Sequence, residues 1–465
     1  MTDSAAVNTR RFDAIIIGAG QAGPPMAGRL HEAGMKVAII ERHLVGGTCV
    51  NTGCKPTKTL VASAYAAHTA RRGADYGFSR GEVSIDMPRV AARAREVIMD
   101  ARKGNEDWLG GMDNVELIRG HARFTGPNSV AVNGEVLTAP RIFINVGGRA
   151  TVPDFPGIED VPFLTNSGIV GLEEVPKHLV IIGGSYIGLE FAQMYRRFGA
   201  EVTVVERSDR LITREDPDMS QAVREILEAE GITVRTSANC IGFARHAEGV
   251  SVSVDCKTDP SPIVGSHVLV ATGRRPNTDD LGLEAAGVAV DKRGYIVVDD
   301  GLQTSTPGIW ALGDCNGRGA FTHTAYNDFE IVAANLLDGE SRKVSDRITG
   351  YALYIDPPLG RVGMTEAEAA RTGKTVLVST RPMTRVGRAV EKGETQGFMK
   401  IVADAESKRI LGAAILGTGG DEVIHGILDM MNADQPTDVL RWAVPIHPTV
   451  SELIPTVLLD LKPTG

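Results

Sequence analysis

Residues 13–42, DAIIIGAGQAGPPMAGRLHEAGMKVAIIER, open with an apolar β-rich run, pass through a glycine turn into a helical stretch, and close with a second β-rich run ending at Glu41. That order predicts one βαβ unit. Gly18, Gly20 and Gly23 fit G-x-G-x-x-G. In that pattern the first glycine permits the turn, the second lets backbone approach a pyrophosphate, and the third lets helix pack on strand. Glu41 falls where a ribose hydroxyl needs an acceptor. Pro24 and Pro25 fall in the first helical turn, where backbone donors lack intrahelical partners anyway. Residues 179–207, LVIIGGSYIGLEFAQMYRRFGAEVTVVER, repeat the pattern, with Gly183 and Gly188 in the first and third glycine positions and Ser185 in the second. The step from Gly18 to Glu41 equals that from Gly183 to Glu206, so the repeat predicts two dinucleotide sites.

Three further apolar runs, IFINVGGRATVPDFPG (142–157), HVLVATGRRPNT (267–278) and TPGIWALGDCNG (306–317), read as strands ending at turns. From about residue 347 strands and helices mix without another nucleotide fingerprint, which predicts a third domain. The length of 465 residues agrees with that division, at roughly 150 residues per domain. Glycine reaches 53 residues with no collagen-like period, so it is spent on turns and ligand loops.

A net charge of −9 leaves no footprint for nucleic acid and no polybasic patch for anionic lipid. No run of 18 apolar residues occurs, and the start, MTDSAAVNTRR, lacks a signal peptide's apolar core, so the expected location is the cytoplasm. Five cysteines are too few for a disulfide scaffold. Cys240, Cys256 and Cys315 read as solitary small side chains, buried or half-buried.

Cys49 and Cys54 differ, because a close cysteine pair is more often redox-active or metal-binding than structural. Their segment, GGTCVNTGCKPTK (46–58), follows Glu41 closely and is therefore held near whatever the first βαβ unit binds. No companion cysteine or histidine cluster completes a tetrahedral metal site, so no metal is expected and a disulfide is the better reading. On a regular helix, residues five apart rise roughly 8 Å, beyond the bridging limit of about 7 Å. The helix must be distorted there, and Gly53 offers the freedom.

Together with the two fingerprints, ATGRRPN, the ALGD segment and the C-terminal HPTVSE, this segment resembles the class I pyridine nucleotide-disulfide oxidoreductases of the glutathione reductase, lipoamide dehydrogenase and mercuric reductase type. The resemblance spans nearly the whole chain with its motifs in family order. It implies an α/β fold of two Rossmann-like dinucleotide-binding domains plus a C-terminal α+β dimerisation domain. The implied division is 1–156 with 272–346 for FAD, 157–271 for NAD(P), and 347–465 for the interface of a homodimer.

The same resemblance assigns roles. Gly18, Gly20, Gly23, Glu41, Gly47 and Thr48 would form the FAD site, with Asp314 on the ribityl or phosphate chain, and Gly273 would be a further cofactor-binding residue. Cys54 would be the thiol against the flavin and Cys49 the interchange thiol. Lys58 would lie near the flavin with Glu190 as its carboxylate partner. Gly183, Ser185 and Gly188 would hold the nicotinamide cofactor, with Tyr186 gating its pocket. Glu206 favours NADH, since a carboxylate accepts from a 2′-hydroxyl and repels a 2′-phosphate, while Arg207 and Arg210 could accommodate NADPH. His447 and Glu452 would form a proton-handling dyad reaching the other subunit's disulfide, so that the active site is shared.

GGTCVN, FTHTAYNDFEIV (321–332) and PPLGRVGMTEAEA (357–369) look closest to the mercuric reductase-like and reactive-chlorine-resistance, copper-reducing branch. Two departures bear on the acceptor: the tail, VLLDLKPTG, carries no cysteine pair, and no N-terminal C-x2-C domain precedes the first fingerprint. Lys55 is a third, either favouring the Cys54 thiolate or pointing to solvent. The expected activity is transfer of electrons from NAD(P)H through FAD to a Cys49–Cys54 disulfide and on to a thiol, disulfide or soft-metal acceptor. Dihydrolipoamide dehydrogenase is the first alternative and a flavin-binding redox sensor without fast turnover the second.

Overall fold

A computed structural model describes residues 8–79, 81–255 and 262–463. They divide into two compact units, one drawn from 8–59, 92–151 and 273–347 and the other from 60–79, 81–91, 152–255, 262–272 and 348–463.

In the first unit, Ala14–Ile17 is the middle strand of a five-stranded parallel sheet ordered Ile309–Ala311, Ile142–Ile144, Ala14–Ile17, Val37–Glu41, Val115–Arg119. The central strands are apolar at every position except Glu41, the last residue of its strand, because both faces are covered. Ala14, Ile16, Val37 and Ile39 pack on Met26 and Leu30 of the helix Gly23–Glu32 and on Phe329 and Val332 of the helix Thr322–Leu337. Ile15, Ile17, Ala38 and Ile40 pack instead on Phe124, Val130 and Leu137 of a four-stranded sheet. Each fully buried isoleucine contributes about 2 kcal/mol, and burial on both faces leaves the strand ends as the place for polar chemistry. Gly18, Glu41, Asn145 and Leu312 all stand at or just beyond the C-terminal ends of these parallel strands, where ligands of open α/β sheets bind.

The second unit repeats the device: His178–Ile182, the helix Tyr186–Phe198 and Glu201–Val205 form a βαβ unit within a parallel sheet ordered Thr233–Arg235, Glu201–Val205, His178–Ile182, His267–Val270. A three-stranded antiparallel sheet, Gly242–His246, Gly249–Ser253 and Ile263–Gly265, adjoins it in sequence. After residue 347 come an antiparallel sheet ordered Gly350–Leu353, Leu359–Gly363, Ile410–Leu416, Phe398–Asp404, Val376–Pro382, Lys462–Pro463, and the helix Gly420–Asn432, whose Ile424 and Ile427 pack on Val362 and Ile415.

One cysteine reading needs correction. Cys240 is disulfide-bonded rather than solitary, because pairing follows tertiary proximity that spacing alone does not reveal; Cys256 lies outside the described residues. Cys315 is buried, shares its proton with the Ile144 and Leu312 carbonyls, and burial pushes its thiol up to about 12. Among the described residues no helix is long and apolar enough to cross a membrane.

The turn after Ile309–Ala311 is held from below by Asp328, which is buried and accepts from the Gly313 N–H and the Asn316 side chain at 2.8 Å each while pairing with Arg347. Asp328→Ala would leave Arg347 without its carboxylate in a largely desolvated place. It should cost about 3 kcal/mol, read as a lowered thermal midpoint; a midpoint within a degree of wild type would show that the turn does not depend on this pair.

Candidate functional site

The first glycine loop is built to have no room for side chains. Gly18 has φ +104, and a Cβ there would lie 2.3 Å from the Asn145 carbonyl oxygen; one on Gly23 would lie 2.4 Å from the Gly18 oxygen. Gly20 is left facing Gly47, whose own Cβ would come 2.9 Å from the Gly20 Cα. Glu41 closes the loop: one carboxylate oxygen accepts from the Ala19 N–H at 2.8 Å and the other from the His43 N–H at 2.7 Å. Each oxygen keeps a lone pair for a ribose hydroxyl.

The cysteine segment rests directly on this loop. Gly46 donates to the Ala19 carbonyl at 2.8 Å, and Gln21 reaches the Gly46 carbonyl at 3.0 Å. The helix Gly47–Asn51 then stops at Thr52 (φ −143), and a new helix, Cys54–Arg71, starts at the second cysteine. Gly53 lies so close over the first helix that a Cβ would be 2.8 Å from the Thr48 oxygen and 3.3 Å from the Cys49 Cα. The interruption thus folds Cys54 back toward Cys49.

The two cysteines are thiols here, the reduced form of the couple, rather than the bonded pair expected from the sequence. Cys49 hydrogen-bonds the Cys54 sulfur. That bond first, and burial second, raise the Cys49 pKa well above the ordinary thiol range, while Thr322 and the positive charge of Lys55 act in the opposite direction. Lys55 itself is exposed. The Cys54 sulfur also lies 3.2 Å from the Thr322 hydroxyl, on the first residue of the helix Thr322–Leu337. Lys58 sits one turn after Cys54, half-buried.

Asp314 is the other acidic group in the first unit's site. Burial raises its pKa, opposed by Arg274, whose Nε lies 3.5 Å away. Arg274 also donates to the Thr48 hydroxyl at 3.3 Å and to the Gly148 carbonyl, which ties the cysteine helix to the Asp314 turn. Gly273, next to it, has φ +120 and open space where a side chain would project. Asn145, Thr322 and Arg274 were not singled out from the sequence, since no local spacing links them to the glycine loop; ATGRRPN contained Arg274 without marking its role.

The second loop reproduces the first. A Cβ on Gly183 would meet the Ala271 oxygen at 2.4 Å, and one on Gly188 the Gly183 oxygen at 2.1 Å. Glu206 accepts from the Gly184 N–H at 2.6 Å and the Ser208 N–H at 2.7 Å, matching Glu41 bond for bond. Gly184 was missed from sequence: it stands against Leu211 and Glu206, where a Cβ would be 2.5 Å from the leucine. Ser185 is exposed, Arg207 is exposed, and Tyr186 is half-buried with its ring edge-on to that of Tyr351, centroids 5.3 Å apart. On the same helix Glu190 is buried and accepts from the Tyr354 N–H at 3.0 Å.

Elsewhere in the second unit, His447 and Glu452 meet, Nδ1 to Oε2 at 2.8 Å, with the imidazole 80% exposed and the carboxylate 14% exposed. The segment before the histidine leaves Trp442, Val444 and Ile446 exposed. The structure therefore brings the predicted residues into three constellations: the first loop with both cysteines and Asp314, the second loop with Tyr186, and the His447–Glu452 pair. Among the described residues no group of three or more His, Cys, Asp or Glu side chains could hold a metal ion.

Comparison with known proteins returns the pyridine nucleotide-disulphide oxidoreductase model over residues 12–328 and the dimerisation domain of the same group over 349–458. The probable pyridine nucleotide-disulfide oxidoreductase RclA of Escherichia coli is 36% identical over 95% of this chain and 97% of its own length. A dihydrolipoyl dehydrogenase of Thermus scotoductus is 35% identical over 95% and 96%, and a mercuric reductase of Bacillus cereus 35% over 89% and 66%. Among solved structures, the Cu(II) complex of the HOCl-induced flavoprotein disulfide reductase RclA superimposes with a TM-score of 0.88 at 35% identity, over 97% of this chain and 99% of that one.

Because the hydrogen bond to Cys54 is the largest influence raising the Cys49 pKa, Cys54→Ala should move the alkylation profile of Cys49 in reduced protein to lower pH. An unmoved profile would mean that the two sulfurs do not share a proton.

Proposed function

Because the chain belongs to the pyridine nucleotide-disulfide oxidoreductase family, we propose how its residues divide the work of a flavin-dependent disulfide oxidoreductase: FAD on the first glycine loop, the nicotinamide cofactor on the second, and electrons leaving through Cys49 and Cys54 to a soft-metal or disulfide acceptor. The observation that carries this reading is the broken helix that seats both cysteines on the first glycine loop. The corresponding division of the chain is 1–156 with 272–346 for FAD, 157–271 for NAD(P) and 347–465 for the interface, and the cytoplasm is its place of work.

FAD, when bound, accepts hydride from NAD(P)H and supplies two electrons to sulfur. The loop's close-packed glycines and the Glu41 clasp fit a pyrophosphate and a ribose, with Gly47, Thr48 and Asp314 lining the same crevice. In the sulfur pair, the S–S bond takes up two electrons and one proton, leaving a thiol on Cys49 and a thiolate on Cys54. The Cys49 hydrogen bond to the Cys54 sulfur and the Thr322 hydroxyl at 3.2 Å favour that distribution. Lys58 would serve beside the flavin, and Glu190 is assigned the role of its carboxylate partner. Glu452 holds Nδ1 of His447 and so orients the ring, leaving Nε2 to present or receive the thiol proton. The exposed Trp442, Val444 and Ile446 support a homodimer in which this dyad serves the neighbouring subunit's cysteines.

NADH is the favoured donor. Glu206 repeats the Glu41 clasp, which on the first loop suits a ribose with a free 2′-hydroxyl. Arg210 turns to the carbonyls of its own loop, at 3.3 Å from Thr213, instead of waiting for a 2′-phosphate. Cu(II) is the acceptor favoured here, by likeness to the copper complex of RclA over nearly the full length of both chains; oxidation of dihydrolipoamide with NAD+ as acceptor is the second reading, by likeness to the dihydrolipoyl dehydrogenases.

An acceptor panel of Cu(II), Hg(II), lipoamide, glutathione disulfide, quinones and oxygen, run with each nicotinamide cofactor, tests both. NADH-driven Cu(II) or disulfide reduction should fall at least about 100-fold in Cys49→Ser and Cys54→Ser while flavin content holds. Full turnover in both variants refutes the assignment. Fastest turnover with dihydrolipoamide and NAD+ transfers it to the second reading, and no turnover with any acceptor leaves a redox sensor.

A further inference from the structure

Tyr186 is half-buried at the start of the helix Tyr186–Phe198. Its ring meets the edge of Tyr351, with centroids 5.3 Å apart and planes at 83°, a favourable quadrupole arrangement. Tyr351 comes from the strand Gly350–Leu353 and is itself fixed at its far end, where its hydroxyl donates to Glu215 at 2.8 Å. The other Glu215 oxygen accepts from two nitrogens of Arg361, Nε at 3.0 Å and Nη2. Arg361 is the direct cross-strand partner of Tyr351, so one antiparallel pair supplies both the ring and the cation that secures its carboxylate.

This anchor is unusually dry. The Glu215 and Arg361 side chains are 0% and 1% exposed. The chain next to Glu215 is fastened as well: Asp216 accepts from the Glu366 and Ala367 N–H groups at 3.1 and 3.2 Å and lies 3.5 Å from Lys400. A desolvated ion pair with matched hydrogen bonds is poorly justified as a source of stability alone, since apolar packing would serve as well. What it does provide is a fixed direction for the Tyr351 phenol.

We propose that Tyr351 is a positioning residue for Tyr186: braced by the buried Glu215–Arg361 pair, it holds the Tyr186 ring in place and so sets how readily that ring yields to the incoming nicotinamide. The proposal rests on the reading above that places the nicotinamide cofactor on this loop. If the held position of Tyr186 excludes the nicotinamide, the apparent affinity is reduced by the fraction of molecules in which the ring has moved. Weakening the brace then tightens binding without touching hydride transfer.

The test is anaerobic stopped-flow reduction of the flavoprotein by NADH and by NADPH, in wild type, Tyr351→Phe, Tyr186→Ala and the double variant. Tyr351→Phe keeps the ring and its volume and removes the hydroxyl through which Tyr351 bonds Glu215 and touches Tyr186; variants of Glu215 or Arg361 would strand a buried charge and are avoided. Tyr351→Phe should lower the apparent dissociation constant of the nicotinamide cofactor about fivefold, the value of one net hydrogen bond. The limiting rate of flavin bleaching should stay within about twofold, and in the Tyr186→Ala background the same substitution should change neither quantity. An equal response in both backgrounds, no response, or weaker binding would overturn the brace. Wild-type flavin that neither cofactor reduces would overturn the nicotinamide assignment and the brace together, whereas normal wild-type reduction with additive variants would remove the brace alone.

Discussion

A helix advances too far in five residues for its side chains to share a bond, so the chemistry of this protein hangs on the interruption between Asn51 and Cys54. The chain breaks helical geometry at Thr52 and returns over its own first turn at Gly53, where even a methyl group would collide with the Thr48 carbonyl. This local fold-back has no freedom to wander, because Gly47 abuts Gly20 and Gly46 is bonded to Ala19. The same glycines that make a dinucleotide loop therefore also set where the sulfur pair stands. Thr322, brought in by a helix from far along the chain, completes the surroundings of Cys54.

A second economy is the clasp made by a strand-ending carboxylate. Glu41 and Glu206 each bind the N–H one residue after the first glycine of their loop and the N–H two residues beyond themselves. Charge-assisted bonds of this kind are about twice as strong as neutral ones, and here they join strand end, loop and following turn into one rigid floor. The carboxylate is thus occupied structurally before any ribose arrives, which explains how one residue can serve both shape and recognition.

The βαβ units were legible because their signals are local: apolar runs, glycines at set steps and an acid closing the second strand all fall within one stretch of sequence. The need for a distorted helix between Cys49 and Cys54 was legible too, from the rise per residue alone. What escaped were partners supplied from a distance. Asn145 and Ala271 roof the two glycine loops, Asp328 holds the Asp314 turn, and Tyr351 with Glu215 and Arg361 stands against Tyr186. None of these has a periodicity or a spacing to announce it; each depends on which strands become neighbours. The Cys240 disulfide escaped for the same reason, since a cysteine's partner is chosen by proximity and its own surroundings in sequence are unremarkable.

The central claim is that the fold-back lets two sulfurs exchange a covalent bond for two thiols under the control of a nicotinamide donor. Non-reducing peptide mapping of the flavin-loaded protein, alkylated before and after one equivalent of NADH without oxygen, measures this directly. The account predicts a bond between Cys49 and Cys54 in the oxidised protein, replaced after NADH by alkylation at both of these positions while the Cys240 disulfide is unchanged. Both cysteines already alkylated in the oxidised protein, or a bond that survives the donor, would contradict it.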